Sequence, residues 1–186
     1  MNAVDPDAEL LARIGSGDPA AVREMISRKL PRLLSLATRL LGDSAEARDV
    51  AQETFVRIWK HARRWQAGRA RFDTWVHRVA LNLCNDRLRR RKDALPLDDA
   101  LEAVDPAPVQ DAQLDQTSRS ERVSAALAAL PVRQREALIL QYYQELSNVE
   151  AAKLMGISVD ALESLLSRAR RNLRAYLAGE REDLCI

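Results

Sequence analysis

Apolar residues recur at intervals of three and four along most of this chain, the spacing of one face of an α-helix. The first such run follows Asp5-Pro6, a start signal with Asp as N-cap and Pro at the first helical position. It carries Leu10, Leu11 and Ile14 and stops at Gly15-Ser16-Gly17. Asp18-Pro19 repeats the signal, and the next helix runs to about Leu41 and ends at Gly42. Pro31 falls inside that span and is predicted to kink or restart it, because proline lacks the N–H and clashes with the preceding turn. Ser44 caps a third helix over 45–65, with Ala47, Ala51, Phe55, Ile58 and Ala62 as its core stripe. A polar loop from Gln66 to Arg71 leads into a fourth helix from Asp73 to Lys92, with Trp75, Val79, Leu83 and Leu88 at apolar positions. Residues 93–117 hold Pro96, Pro106, Pro108 and many aspartates, which reads as a linker. Helices near 118–130, 132–144, 148–155 and 159–178 follow, with Pro131 separating the first two. The pattern predicts an all-α protein. Two small helical modules, 1–92 and 118–186, are joined by an acidic flexible linker, 93–117, and the C-terminal module contains a helix-turn-helix.

Composition supports helix over sheet. Only 4% of the 186 residues are aromatic, while Leu, Ala and Arg abound and glycine is scarce. The net charge of +2 hides an uneven distribution: +8 over residues 1–92, −7 over 93–118 and +1 over 119–186. The chain has two cysteines, Cys84 and Cys185, and two histidines, His61 and His77, too few and too scattered for a structural zinc site. His77 and Cys84 share a helix face, and the plain reading is a helix-surface His and a buried Cys; no metal or cofactor is expected. Few cysteines suit a reducing cytoplasm. The acidic start Met1-Asn2-Ala3-Val4-Asp5 is not a signal peptide, and no apolar run is long enough for membrane insertion. No Ser/His/Asp arrangement or ligand cluster is available to build a hydrolase, so an enzyme is not expected.

The segment from Ser147 to Leu166 reads as helix, turn, helix. Ser147 and Glu150 form a capping box, and Ala152 is small where two helices cross. Gly156 stands where the turn needs positive φ, and Ser158 can cap the second helix. Leu162 and Leu165 are expected to seat that helix on the first. Its outer face offers Asp160, Glu163, Ser164, Ser167, Arg168 and Arg171, continued by Arg170 and Arg174. Hydroxyls and guanidiniums bond base edges and phosphates, and Glu163 or Asp160 can accept from cytosine. A plain helical hairpin with arginines at its last turns is the alternative on these residues alone.

In the front half, Glu46, Asp49 and Glu53 share one face of the third helix, followed by Arg57, Lys60, Arg63 and Arg64. The same split would also stabilise an isolated helix. Trp65, Phe72 and Trp75 flank the basic residues Arg69 and Arg71, and the helix behind them ends in Arg87, Arg89, Arg90, Arg91 and Lys92. Aromatics beside a basic groove suit unstacked single-stranded bases; the same rings can equally be core.

Three segments together resemble the extracytoplasmic-function (ECF) group of bacterial sigma factors. Asp49-Val50-Ala51-Gln52-Glu53-Thr54-Phe55 is similar to the family's polymerase-docking helix. Phe72 to Asn82, followed by Asp86-Arg87-Leu88-Arg89, is similar to its promoter-melting helix. Leu130-Pro131-Val132-Arg133-Gln134-Arg135-Glu136-Ala137 with the helix-turn-helix is similar to its C-terminal DNA-reading module. The resemblance implies a factor that binds core RNA polymerase, directs it to promoter DNA and promotes melting, under control of an anti-sigma factor. It implies that Asp49, Gln52 and Glu53 face the polymerase. It implies that Asn82, with the Trp65–Arg71 loop and Arg69 and Arg71 within it, captures a flipped base of the −10 element. Arg57, His61, Trp65 and Val79 would line the pocket, with Asp86, Arg87 and Arg89 beyond. Ser164, Ser167, Arg168 and Arg171 would read the −35 element together with Glu163, which departs from relatives carrying a basic residue there. The acidic linker would thread toward the RNA exit path. A free-standing helix-turn-helix regulator is the competing reading; it needs no docking helix.

Overall fold

The computed structural model describes residues 5–65, 71–94 and 122–183. The chain forms α1 (Ala8–Gly15), α2 (Pro19–Leu41), α3 (Ser44–Ala62) and α4 (Phe72–Ala94), then α5 (122–128) and α6 (Val132–Leu138). A π-helical turn (Ile139–Tyr143), α7 (Asn148–Met155) and α8 (Val159–Asp183) complete it, and no strand occurs among the described residues. The fold is all-α. The expected acidic linker lies outside the described residues from position 95 onward, and Arg69 lies outside them too.

The front module buries the stripes that the spacing marks out. Leu10, Leu11 and Ile14 of α1 meet Met25, Leu36 and Leu40 of α2, and the whole expected α3 stripe is buried. Burial of this kind supplies most of the stability of helices too short to persist alone. Local details depart from expectation in three places. The regular part of α1 begins at Ala8, so Asp7 stands at its N-cap position but makes no side-chain cap bond; the capping bond is made by Asp5, which accepts from Asp7 N and also from Phe72 N. The N-cap of α3 is Asp43, whose carboxylate accepts from the N–H groups of Ala45 and Glu46 at 2.7 and 3.0 Å, and not Ser44. Pro31 does not restart α2, which runs through it: the ring lies on the exposed face, while Leu33, Leu36, Ala37 and Leu40 beyond it are held in the core. The lost hydrogen bond is thereby outweighed by packing on the opposite face.

The back module also differs in detail. The single helix expected over 132–144 changes pitch at Ile139 into the π-helical turn. Glu145 then takes φ 55°, and α7 starts at the Ser147–Glu150 capping box. α8 is seated by Leu162, Leu166 and Ala169, all buried, with Leu165 only half-buried. The register of the seating stripe is therefore 162, 166, 169 and not 162, 165.

The two modules pack directly on each other, which the linker gave no sign of. Their buried apolar residues join in one cluster, and the junction also buries several polar groups. His77, expected on a helix surface, is 6% exposed; its Nδ1 pairs with the Asp73 carbonyl (2.7 Å) and its Nε2 with Gln144 Oε1 (3.1 Å). Gln144 in turn donates to the Arg32 carbonyl at 3.3 Å, and the Arg39 guanidinium lies 4.0 Å from the Tyr143 ring centroid. Arg135 donates to the carbonyl of Leu40 at the end of α2 (2.7 Å) and to those of Ala128 and Leu130 (2.6 and 3.2 Å). Beside it, Glu136 is 1% exposed and binds Arg133 at 2.9 Å. Burial pushes the Glu136 carboxyl above its ordinary range, outweighing the opposing pull of Arg133 and of Asn85 on α4. Cys84 is fully buried at this junction, and its thiol is pushed up to about 12, chiefly by burial.

Two outcomes follow from these contacts. Lys29 bonds both the buried Asp7 and Asp73, so Lys29→Met leaves the buried Asp7 carboxylate with Arg28 alone, at 3.6 Å; urea unfolding of that variant is expected to show a loss of about 3 kcal/mol. For Glu136, a folded-state pKa raised above the unfolded value means a contribution fully present below the unfolded pKa and lost as pH rises through the folded one. The stability of the wild type relative to Glu136→Gln is therefore expected to fall in urea titrations as pH rises above the unfolded carboxylate's range, about 4, and to level off above the folded pKa; a constant difference would contradict it.

Candidate nucleic-acid interface

The end of α3 and the start of α4 carry four rings in one array. His61 stacks on Trp75 with centroids 5.0 Å apart and planes at 7°. Trp65 meets Phe72 and Trp75 edge-on, at 5.2 and 5.8 Å, and Phe72 stacks on Trp75 at 5.8 Å. The aromatics divide between the two roles that the sequence left open. Phe72 is fully buried and serves the core, whereas Trp65 and Trp75 are half-buried and His61 is exposed. Such pairs prefer offset or edge contact, which fixes ring orientation.

Helical spacing aligns the rest of this face. Trp75, Val79, Asn82 and Asp86 stand at i, i+4, i+7 and i+11 of α4, on one side of the helix. Val79 is half-buried and Asn82 exposed, so an amide with two donors and an acceptor stands in solvent two turns beyond the aromatic shelf. The sequence placed Trp75 among the aromatics suited to unstacked bases, but the pocket implied by the resemblance left it out, and it is the ring on which His61 lies. The clue was its position seven residues before Asn82.

The charged members are partly engaged. Arg57 binds Glu53 at 2.8 Å, and Arg87 reaches the same carboxylate at 3.9 Å. Arg89 pairs with Asp86 at 3.0 Å. Arg71 points toward the other module, 3.5 Å from Glu150. Asp49 and Gln52 are exposed on the outer face of α3, with Glu53 beside them in its two arginine contacts.

The helix-turn-helix has the geometry its residues imply. The Ser147 hydroxyl and the Glu150 carboxylate cap each other's backbone, Gly156 takes φ 66°, and Ser158 Oγ accepts from Ala161 N at 3.1 Å. The hydrogen bond from Ser147 leads the effects that hold the Glu150 carboxyl below its ordinary range. Ala152 is buried where α7 meets α8. Glu163, Ser164, Ser167, Arg168 and Arg171 are all exposed on α8. Asn148 donates to Glu163 Oε1 at 3.3 Å, which steers that carboxylate back toward the start of α7. Arg170 leaves this group: it donates to Tyr142 Oη at 3.0 Å and to Gln141 at 3.4 Å. A helix with free hydroxyls and guanidiniums along one side, propped on a second helix across a glycine turn, can enter a DNA major groove.

Comparison with known proteins agrees with this division. The sigma-70 region 2 family model matches residues 25–94 and the sigma-70 region 4 model matches 120–173. The ECF RNA polymerase sigma factor SigE of Mycolicibacterium smegmatis is 36% identical over 88% of this chain, which spans 65% of that protein. SigM of Mycobacterium tuberculosis is 32% identical over 92% of this chain and 84% of its own length. CnrH of Cupriavidus metallidurans is 30% identical over 98% of this chain and its whole length. Among solved structures, CnrH in complex with the cytosolic domain of CnrY aligns with a TM-score of 0.67 at 27% identity, covering 93% of this chain and 97% of that one. The sigma factor RpoE of Bartonella quintana in complex with the anti-sigma factor NepR gives 0.67 at 26%, covering 84% and 96%. With both region models matched in order, and SigM and CnrH matched at 32% and 30% identity over 84% and all of their own lengths, the chain belongs to the ECF family of RNA polymerase sigma factors.

Proposed function

We propose that this chain binds core RNA polymerase through the outer face of α3, captures a base of the −10 element on the α4 face, and reads the −35 element with α8. It works in the cytoplasm and by binding, without catalysing a reaction of its own. Residues 1–92 form the docking and melting module, 93–117 the linker and 118–186 the −35 module. The observation that carries the reading is the exposed Asn82 amide in line with the Trp75–His61 stack. An extruded base needs a stacking surface and hydrogen bonds to its edge, which together offset the cost of unstacking. Arg57, Trp65, Val79, Asp86, Arg87 and Arg89 frame that face, and Arg71 and Arg69 belong to its approach. On α8, Ser164, Ser167, Arg168 and Arg171 contact base edges and phosphates, with Glu163 as the carboxylate acceptor for a cytosine amino group. Asp49 and Gln52 supply the accessible part of the docking face, and Glu53 braces Arg57 and Arg87 as well. The solved relatives bound to CnrY and to NepR support control of this chain by an anti-sigma factor.

Each module alone makes few contacts with DNA; polymerase holds both on one promoter and raises their effective concentration. Run-off transcription with purified core polymerase on genomic fragments, with mapped start sites, tests the reading; absence of any start site overturns it. On a promoter so mapped, Asn82→Ala is expected to lower open-complex formation by about tenfold, the scale of one captured base, with affinity for core polymerase retained. The pair Asp49→Arg with Glu53→Arg is expected to abolish core binding in a pull-down, and Asp49→Arg alone to weaken it without disturbing the Glu53–Arg57 pair.

A further inference from the structure

The segment before the region 2 match has no role in the account so far. It includes Asp5, Asp7 and α1, all N-terminal to residue 25. Its two ends touch the chain on either side of the loop between α3 and α4. At one end, the Asp5 carboxylate accepts the backbone N–H of Phe72, the first residue of α4, at 2.7 Å. Its second oxygen accepts from Asp7 N at 3.1 Å. Asp7 is buried, and Lys29 bonds it and Asp73 together while lying 5.9 Å from the Phe72 ring centroid. At the other end, the carbonyl of Gly15, the last residue of α1, accepts from Arg63 Nε at 3.2 Å. The α1 end lies close against this segment: a Cβ at Gly15 would sit in van der Waals contact with the Arg63 Cα, at 3.4 Å.

We infer that α1 is a splint: it fixes the separation of Arg63 and Phe72, and so positions Trp65, Phe72 and Trp75, the rings that hold the captured base. The inference rests on the base-capture reading above. Asp5 is its key positioning residue, since it holds the N–H that starts α4 although it lies 67 residues away in sequence. A carboxylate at a helix start both fills an orphan donor and complements the positive end of the macrodipole. Without it the first turn of α4 frays, and the Phe72 and Trp75 rings lose their register against Trp65. Docking on α3 and −35 reading on α8 use none of these contacts.

The test uses the full chain reassembled with core polymerase and a promoter mapped by run-off transcription. Asp5→Ala, Asp5→Asn and Asn82→Ala are compared with wild type for three quantities. These are affinity for a single-stranded −10 oligonucleotide of the non-template strand, 2-aminopurine fluorescence on melting, and affinity for core. Asp5→Ala is expected to weaken oligonucleotide binding and melting about fivefold, the effect of one lost helix cap, with core affinity unchanged. Asp5→Asn keeps one acceptor and is expected to fall between Asp5→Ala and wild type. The splint is overturned if Asn82→Ala is defective while Asp5→Ala melts the promoter like wild type. It is also overturned if both Asp5 variants are equally impaired, or if Asp5→Ala loses core affinity in the same proportion. If Asn82→Ala itself melts normally, the base-capture reading fails and takes the splint with it.

Discussion

A guanidinium that is buried must be ringed by acceptors, and much of this molecule is arranged around one. Arg135 is 9% exposed; its two Nη groups donate to carbonyl oxygens at the end of α2, in α5 and just before α6, while its buried Nε has no partner among the described residues. The Leu40 carbonyl belongs to the last turn of α2, where unpaired C=O groups carry the negative end of the helix dipole. Arg91 of α4 treats the neighbouring Leu41 carbonyl in the same way, at 2.8 Å. Two arginines from different modules thus terminate one helix. Removing either would leave buried carbonyls without partners, which costs more than the bond itself contributes.

The same contacts explain how two small modules share one framework. Their buried apolar residues form one cluster, and each module closes its helices with ion pairs and caps at the edges: Lys29 between Asp7 and Asp73 in front, Arg133 with Glu136 behind. The sites stand clear of this framework. Asn82, Asp49 and Gln52 in front and Ser164, Ser167, Arg168 and Arg171 behind are exposed, on helices whose opposite faces are fixed by Val76, Ala80, Val50, Leu162 and Leu166. Rigid elements with solvent-facing polar side chains are what precise recognition requires.

Much of this was legible in the sequence because it is decided within one or two helical turns. The α3 stripe, the Ser147–Glu150 box, the positive φ at Gly156 and the Ser158 cap each depend on residues at most a few positions away. What escaped depends on residues far apart. Asp5-Pro6 reads as a local start signal, but the second bond of the Asp5 carboxylate, to Phe72 N, joins it to α4 and no local pattern announces it. His77 reads as a surface histidine until Gln144 covers it, again 67 residues on. Pro31 reads as a break because propensity sees the missing N–H and not the leucines that hold the next turns down. In the site, the spacing of Trp75, Val79 and Asn82 was visible, whereas the pairing of Arg71 with Glu150 and of Glu163 with Asn148 was not.

The polar groups at the junction have a mechanical consequence. An apolar boundary can slide or gape and lose its stabilisation gradually, in proportion to the area that water reaches. The boundary here adds the buried polar groups His77, Gln144, Arg135 and Glu136 to its shared apolar cluster. A shift of an ångström or two breaks the bonds to Arg32, Leu40 and Gln144 before water has room to replace them. The junction thus resists small displacements more steeply than its apolar contacts alone would.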